Sequence, residues 1–204
     1  MHLKLERLNV GPWPMNCYLI RCPMTKEIAI VDPGADAEAI LEMVGESAVR
    51  CILLTHSHPD HIGALEAVRL ATGVPVGLHP ADTELLDLRD GFPLLDAMEV
   101  EVGQGRVTVV HTPGHTPGSV CLRLNHQAIV GDAIFPGGPG HTVSPEALAQ
   151  SLASLGRTVF TWPDETELYP GHGEHTTVGA ERAAFERFVA ADHPPGLCGD
   201  VTWQ

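Results

Sequence analysis

Short apolar runs, broken by residues that favour turns, fill the first half of the chain. Leu3–Val10, Cys17–Arg21 and Glu27–Val31 read as strands, the last stopped by Asp32-Pro33-Gly34. Asp36 stands where it can cap a helix to about Gly45, with Ile40, Leu41 and Val44 on one face. Val49–Leu54 is an apolar run of the kind expected of a strand covered on both faces. Ile62–Thr72 has helical spacing and stops at Gly73. Val74–Leu78 reads as a strand, Ala81–Leu88 as a short helix, and Asp90 to Ala97 as a loop.

The second half repeats the alternation. Glu99–Val102, Arg106–His111, Ser119–Leu124 and Ala128–Val130 read as strands, with a tight turn at Asn125-His126. Ser144-Pro145-Glu146 is a helix start, a cap followed by Pro at the first helical position, and the helix runs to about Leu155. Glu167–Tyr169 is a last strand, and Val178–Ala191 a last helix with Ala183, Ala184, Phe188 and Val189 facing inward.

Composition narrows the class. With 204 residues and 44% hydrophobic content, the chain is expected to form one domain, 1–204, around a substantial core. No apolar run approaches the roughly 20 residues that cross a bilayer. The start, Met1-His2-Leu3-Lys4-Leu5, carries no export signal, so a cytoplasmic protein is expected. Twelve basic and 26 acidic residues give a net charge of −14, which argues against a nucleic-acid partner. The five Cys are odd in number and form no C-x-x-C pair, as expected of buried, reduced thiols.

Seven candidate metal donors change the picture most. His56, His58, Asp60 and His61 lie within Thr55-His56-Ser57-His58-Pro59-Asp60-His61. His115 follows in Thr112-Pro113-Gly114-His115-Thr116-Pro117-Gly118-Ser119, Asp132 follows Gly131, and His172 lies in Tyr169-Pro170-Gly171-His172-Gly173. Imidazole and carboxylate are the donors that Zn²⁺, Fe and Mn share. Seven exceed what one tetrahedral ion needs, which suggests two ions side by side and a hydrolytic reaction. Each group falls just past a strand end, where sites in α/β proteins gather.

In this order, T-H-S-H-P-D-H, T-P-G-H-T-P-G-S, G-D-A-I-F and Y-P-G-H-G resemble the metallo-β-lactamase-fold hydrolases, above all their glyoxalase II (hydroxyacylglutathione hydrolase)-like branch. The resemblance runs from Asp32 through the last helix. It implies an α/β fold, a four-layer αβ/βα sandwich with the metals at one edge. It implies two divalent ions, Zn first and Fe or Mn as alternatives. His56, His58 and His115 would hold one, Asp60, His61 and His172 the other, and Asp132 would bridge them. Asp60 would also orient the hydroxide or carry a proton. Asp32, in Val31-Asp32-Pro33-Gly34, matches a position that supports the metal loop from behind; a plain turn residue is the other reading.

The resemblance implies a small-molecule substrate, such as a glutathione thioester, while charge and the lack of a long apolar run argue against nucleic acid and membrane as partners. Two departures bear on that. Glyoxalase II proper adds a C-terminal helical domain, whereas only residues 173–204 follow His172 here. The segment Phe135–Thr142 lacks the Gly-Arg turn common after the bridging Asp. His141 stands near that place, either lining the substrate pocket or serving as a loop residue. Two alternatives share the fold: persulfide dioxygenases, whose single iron sits at positions matching His56, His115 and Asp132, and lactonases. A β-lactamase is disfavoured, because a Cys typically stands there at the place of Asp132.

Overall fold

A computed structural model describes residues 2–13, 15–85 and 91–203. The chain runs β1 (Lys4–Val10), β2 (Met15–Arg21), β3 (Ile28–Val31), α1 (Ala37–Val44), β4 (Val49–Leu53), α2 (Pro59–Ile62), α3 (Leu65–Thr72) and β5 (Val76–Leu78). A 3-10 turn (Pro80–Leu85), β6 (Phe92–Pro93), β7 (Glu99–Val102), β8 (Gly105–His111), β9 (Val120–Leu124) and β10 (Gln127–Gly131) follow. The remainder is β11 (Ile134–Phe135), β12 (Gly138–Pro139), α4 (Pro145–Arg157), β13 (Glu167–Pro170), β14 (Thr176–Thr177) and α5 (Val178–Ala190).

The strands form two mixed sheets, ordered β1-β2-β3-β4-β5-β6 and β14-β13-β10-β9-β8-β7, and a small β11-β12 ribbon. Within the first sheet β1 to β3 are antiparallel and β3 to β6 parallel. Facing side chains such as Tyr18, Ala29, Val31 and Leu53 from one sheet and Val107, Val109, Leu122 and Ile129 from the other make the central core. A second core lies between the first sheet and α1 and α3, through Ile40, Val44, Leu65 and Val68. A third joins the second sheet to α4 and α5, through Leu155, Phe160 and Phe185. Helices outside, sheets inside: this is the four-layer sandwich. No described helix is long and apolar enough to cross a membrane.

Several local expectations shift. The helix expected over Ile62–Thr72 is broken at Gly63-Ala64, because the Asp32-Pro33-Gly34 turn docks into it. Ala64 N–H donates to Pro33 C=O (2.9 Å), and a Cβ on Gly63 would run into the Gly34 carbonyl. Asp36 precedes α1 but does not cap it. Its backbone is left-handed (φ 52°) and its carboxylate accepts from Gly11 N–H (2.7 Å). The helix expected over Ala81–Leu88 is a 3-10 turn from Pro80 to Leu85, and residues 86–88 lie outside the described ones. Within the expected loop from Asp90 to Ala97, Phe92-Pro93 pairs with β5, while Asp90 lies outside the described residues. Ser144 caps α4 as expected, accepting from Ala147 N–H (3.2 Å).

The inward face of α5 also differs. Val178, Glu181 and Phe185 are buried, whereas Ala183 is exposed and Val189 is 53% exposed. Glu181 turns the helix. Its carboxylate accepts from Gly137 N–H (2.9 Å), Thr176 Oγ1–H (2.7 Å) and Trp203 Nε1–H (3.0 Å). Three segments distant in sequence thus meet on one buried acid. A buried donor left without its acceptor costs about 1–3 kcal/mol. Glu181→Ala should therefore lower the unfolding free energy by about 3 kcal/mol in urea denaturation; a loss below about 1 kcal/mol would contradict this account.

Candidate metal centre

The donors reach one rim because each follows the end of a strand or opens the next helix. His56 and His58 leave β4, and Pro59 starts α2 directly after His58. Asp60 and His61 are neighbours on that turn, so they diverge, Asp60 exposed and His61 buried. His115, Asp132 and His172 leave β8, β10 and β13 of the other sheet. The structure brings all seven together in overlapping groups: His56, His58 and His115; His56, His61 and Asp132; Asp60, His61 and His172.

The first trio is tight. His56 Nε2 lies 3.1 Å from His58 Nδ1 and 3.3 Å from His115 Nε2, and the latter two are 2.9 Å apart. Three nitrogens about 2.0–2.1 Å from one tetrahedral ion would be about 3.3 Å apart. Hydrogen-bond arithmetic says what these nitrogens carry. Thr55 Oγ1 donates to Asp32 Oδ2 (2.6 Å), so it accepts from His56 Nδ1–H (3.1 Å), which leaves His56 Nε2 a bare lone pair. His115 Nδ1–H donates to the His141 carbonyl (2.8 Å), so His115 Nε2 is bare too. Two lone pairs facing each other repel unless a cation lies between them.

His61 repeats the pattern. Its Nδ1–H donates to Asp32 Oδ2 (3.0 Å). Its Nε2 lies 3.3 Å from Asp132 Oδ1, yet both atoms are buried and without a hydrogen-bond partner. A cation is what such a pair lacks. Asp132 Oδ2 stands 3.8 Å from both His115 Nε2 and His172 Nε2, midway between the two outer donors. His172 Nε2 is 3.0 Å from Asp60 Oδ2. Gly171 makes room for this: a Cβ there would run into Asp132 Oδ1 and the His61 ring.

Charge follows geometry. Burial, then the neighbouring His61, push the His56 imidazole well below its ordinary 6.5. Burial likewise lowers His115. Burial opposes a charged His61 as well, but the Asp132 and Asp32 carboxylates outweigh it and raise it to about 10. Burial pulls Asp132 the other way, and its His61 neighbour overrides it, holding the carboxyl below the usual range. Without an ion, a proton on His61 does the work a cation would do.

Asp32 is fully buried and is more than a turn residue: it also accepts from Thr55 N–H (2.7 Å). His141 works through its backbone, since its carbonyl orients His115 while its exposed ring pairs with Asp200 (3.0 Å). Asp82 carries no sequence signal beyond being one acid among many. Its buried carboxylate accepts from Thr116 Oγ1–H (2.7 Å) and Gly118 N–H (2.6 Å), just after His115 in its turn.

The sequence pattern of the metallo-beta-lactamase superfamily matches residues 10–172. The chain is 32% identical over 204 residues to the hydroxyacylglutathione hydrolase GloC of Haemophilus influenzae, covering 88% of this chain and 95% of that one. The crystal structure of the BLEG-1 B3 metallo-beta-lactamase superposes with a TM-score of 0.77 at 31% identity, over 88% of this chain and 97% of that one. The di-iron-bound form of TTHA1623 gives a TM-score of 0.73 at 32% identity, over 87% and 96%.

Two outcomes are expected. Gly171→Ala should lower the metal content of the purified protein, counted by elemental analysis, while the chain stays folded by circular dichroism; unchanged metal content would show that the close approach is dispensable. The second concerns the metal-free protein. His56 and His115 are lowered from 6.5, so unfolding lets them take up protons, and stability falls as the pH drops below 6.5. His61 is raised from 6.5 to about 10, so its contribution is complete below 6.5 and is lost as the pH rises toward 10. Between pH 6.5 and 9 the metal-free protein should lose stability in urea relative to His61→Gln; parallel pH profiles would refute the assignment.

Proposed function

This chain belongs to the metallo-beta-lactamase superfamily, and from that membership we propose that it is a hydrolase of small thioesters or esters working with two divalent ions. The observation that carries the reading is the pairing of two donor sets through Asp132, with His56 and His115 fixed in the tautomer that presents a lone pair and His61 Nε2 turned by Asp32 toward Asp132. His56, His58 and His115 would hold one ion and Asp60, His61 and His172 the other, with Asp132 available to both. No thiolate belongs to the set, so Zn²⁺, Fe and Mn all suit the donors, with Zn²⁺ first. Bound there, such a pair supplies hydroxide near neutral pH and an electrophilic contact for a carbonyl oxygen.

The chain's own groups do the rest. The fully buried Asp32 keeps His61 in one tautomer and, through Thr55, does the same for His56. Asp60, whose side chain is 52% exposed, is the donor most open to water, and its carboxylate is placed to take up and release a proton. The thioester preference follows the hydroxyacylglutathione hydrolase name of a relative of nearly the same length. All five cysteines are free and four are buried, which fits a reducing cytoplasmic setting.

Purified protein should contain two ions per chain and hydrolyse S-lactoylglutathione, followed by loss of thioester absorbance. Chelation should abolish turnover and re-addition of metal restore it. One iron per chain, with oxygen uptake on glutathione persulfide and no thioester turnover, would overturn this in favour of the dioxygenase reading. Turnover confined to lactones or β-lactams would keep the metals and replace the substrate.

A further inference from the structure

Asn16 lies on β2 of the first sheet, yet its hydrogen bonds go to the His172 loop of the second. Its Nδ2 donates to the carbonyls of Pro170 and Gly173, both at 2.9 Å, which flank His172. Its backbone N–H donates to Gly171 C=O (2.7 Å), and its neighbour Met15 pairs with His172 itself. Its Oδ1 accepts from Asn9 Nδ2–H (2.5 Å). Both amide hydrogens and the amide oxygen are thus engaged, and the side chain is fully buried, so it has one orientation. Tyr18 Oη–H adds a second donor to Pro170 C=O (2.6 Å).

The loop it grips is tied to its own sheet by Gly171 N–H donating to Gly131 C=O (2.9 Å). His172 sits between two glycines, one of them at φ +72°. Its ring must nevertheless stand 3.0 Å from Asp60 Oδ2, a residue carried by the first sheet. The His115 turn, by contrast, is held by Asp82 and the His141 carbonyl, on other elements.

We propose that Asn16 is a positioning residue for His172: it latches the loop to the opposite sheet and thereby sets how tightly Asp60, His61 and His172 hold their ion. This rests on the two-ion reading. Asn16 touches none of the donor atoms, and partners one step removed from a ligand typically change metal affinity 10–100-fold.

Asn16→Ala tests it. Pro170 C=O keeps Tyr18 and Gly173 C=O keeps Arg7 Nη1 (3.2 Å), so neither carbonyl is orphaned. Stepwise Co²⁺ titration of the metal-free protein reads the ions, and His172→Ala identifies which equivalent belongs to the Asp60–His61–His172 set. Hydrogen exchange on the metal-free protein reads the loop. The expected result is a loss of about 10–100-fold in affinity for that equivalent, the other unchanged, and faster exchange over residues 170–173 but not 112–119. Equal weakening of both equivalents, or no change in affinity and exchange, overturns the proposal. If the parent protein takes up a single Co²⁺, the two-ion reading has failed, and exchange alone decides: faster exchange confined to 170–173 upholds the latch, unchanged exchange overturns it. Should Asn16→Ala not fold, Asn16→Ser, which also lacks the two amide hydrogens, carries the same measurements, with the same signs expected and the same results overturning.

Discussion

Asp32 accepts three hydrogen bonds with no exposure to solvent, from Thr55 N–H, Thr55 Oγ1–H and His61 Nδ1–H. Its backbone takes a left-handed φ of 50° to do so. A buried carboxylate is tolerated when its oxygens are fully hydrogen-bonded. From that one group the protonation pattern of the centre follows. His61 is fixed directly, and His56 is fixed because Thr55, having given its proton to Asp32, can only accept. The same turn, through Pro33 and Gly34, breaks the α2–α3 helix and frees His61 to point inward.

Neither sheet could build the centre alone. His56, His58, Asp60 and His61 come from the first, His115, Asp132 and His172 from the second. Each donor set draws on both. The supports cross as well: Asn16 reaches from the first sheet to the His172 loop, and Asp82, which follows β5 of the first sheet, reaches the His115 turn. The central core of Tyr18, Val31, Leu53, Val109 and Ile129 sets the sheet spacing that all of these contacts need.

The longer strands of both sheets were legible in the chain because apolar runs and Gly/Pro breaks are local signals, and the seven candidate donors could be picked out because residues in a fixed order need no tertiary information; the two-residue strands β6, β11, β12 and β14 are too short to leave such a signal. The membership in the superfamily and the sandwich followed from those motifs. What stayed hidden depends on partners far away in sequence. Glu181 looks like an outward residue of α5 until Gly137 and Trp203 arrive on it. Asp36 looks like a cap until Gly11 claims its carboxylate. Asn16 and Asp82 carry no pattern at all, and His141 acts through a carbonyl that every residue possesses.

Because the candidate donors are divided between the two sheets, capture of an ion by a complete set would be ordered in time as well as in space. The first four donors are synthesised together in residues 56–61 and can meet a metal while the rest of the chain is still emerging. They cannot complete either coordination sphere until the second sheet has docked. Free energy from metal binding reaches the folded state only through groups that the folded state assembles. On the two-ion reading, a fully loaded centre would be a late event in maturation, since loading would need both sheets in place.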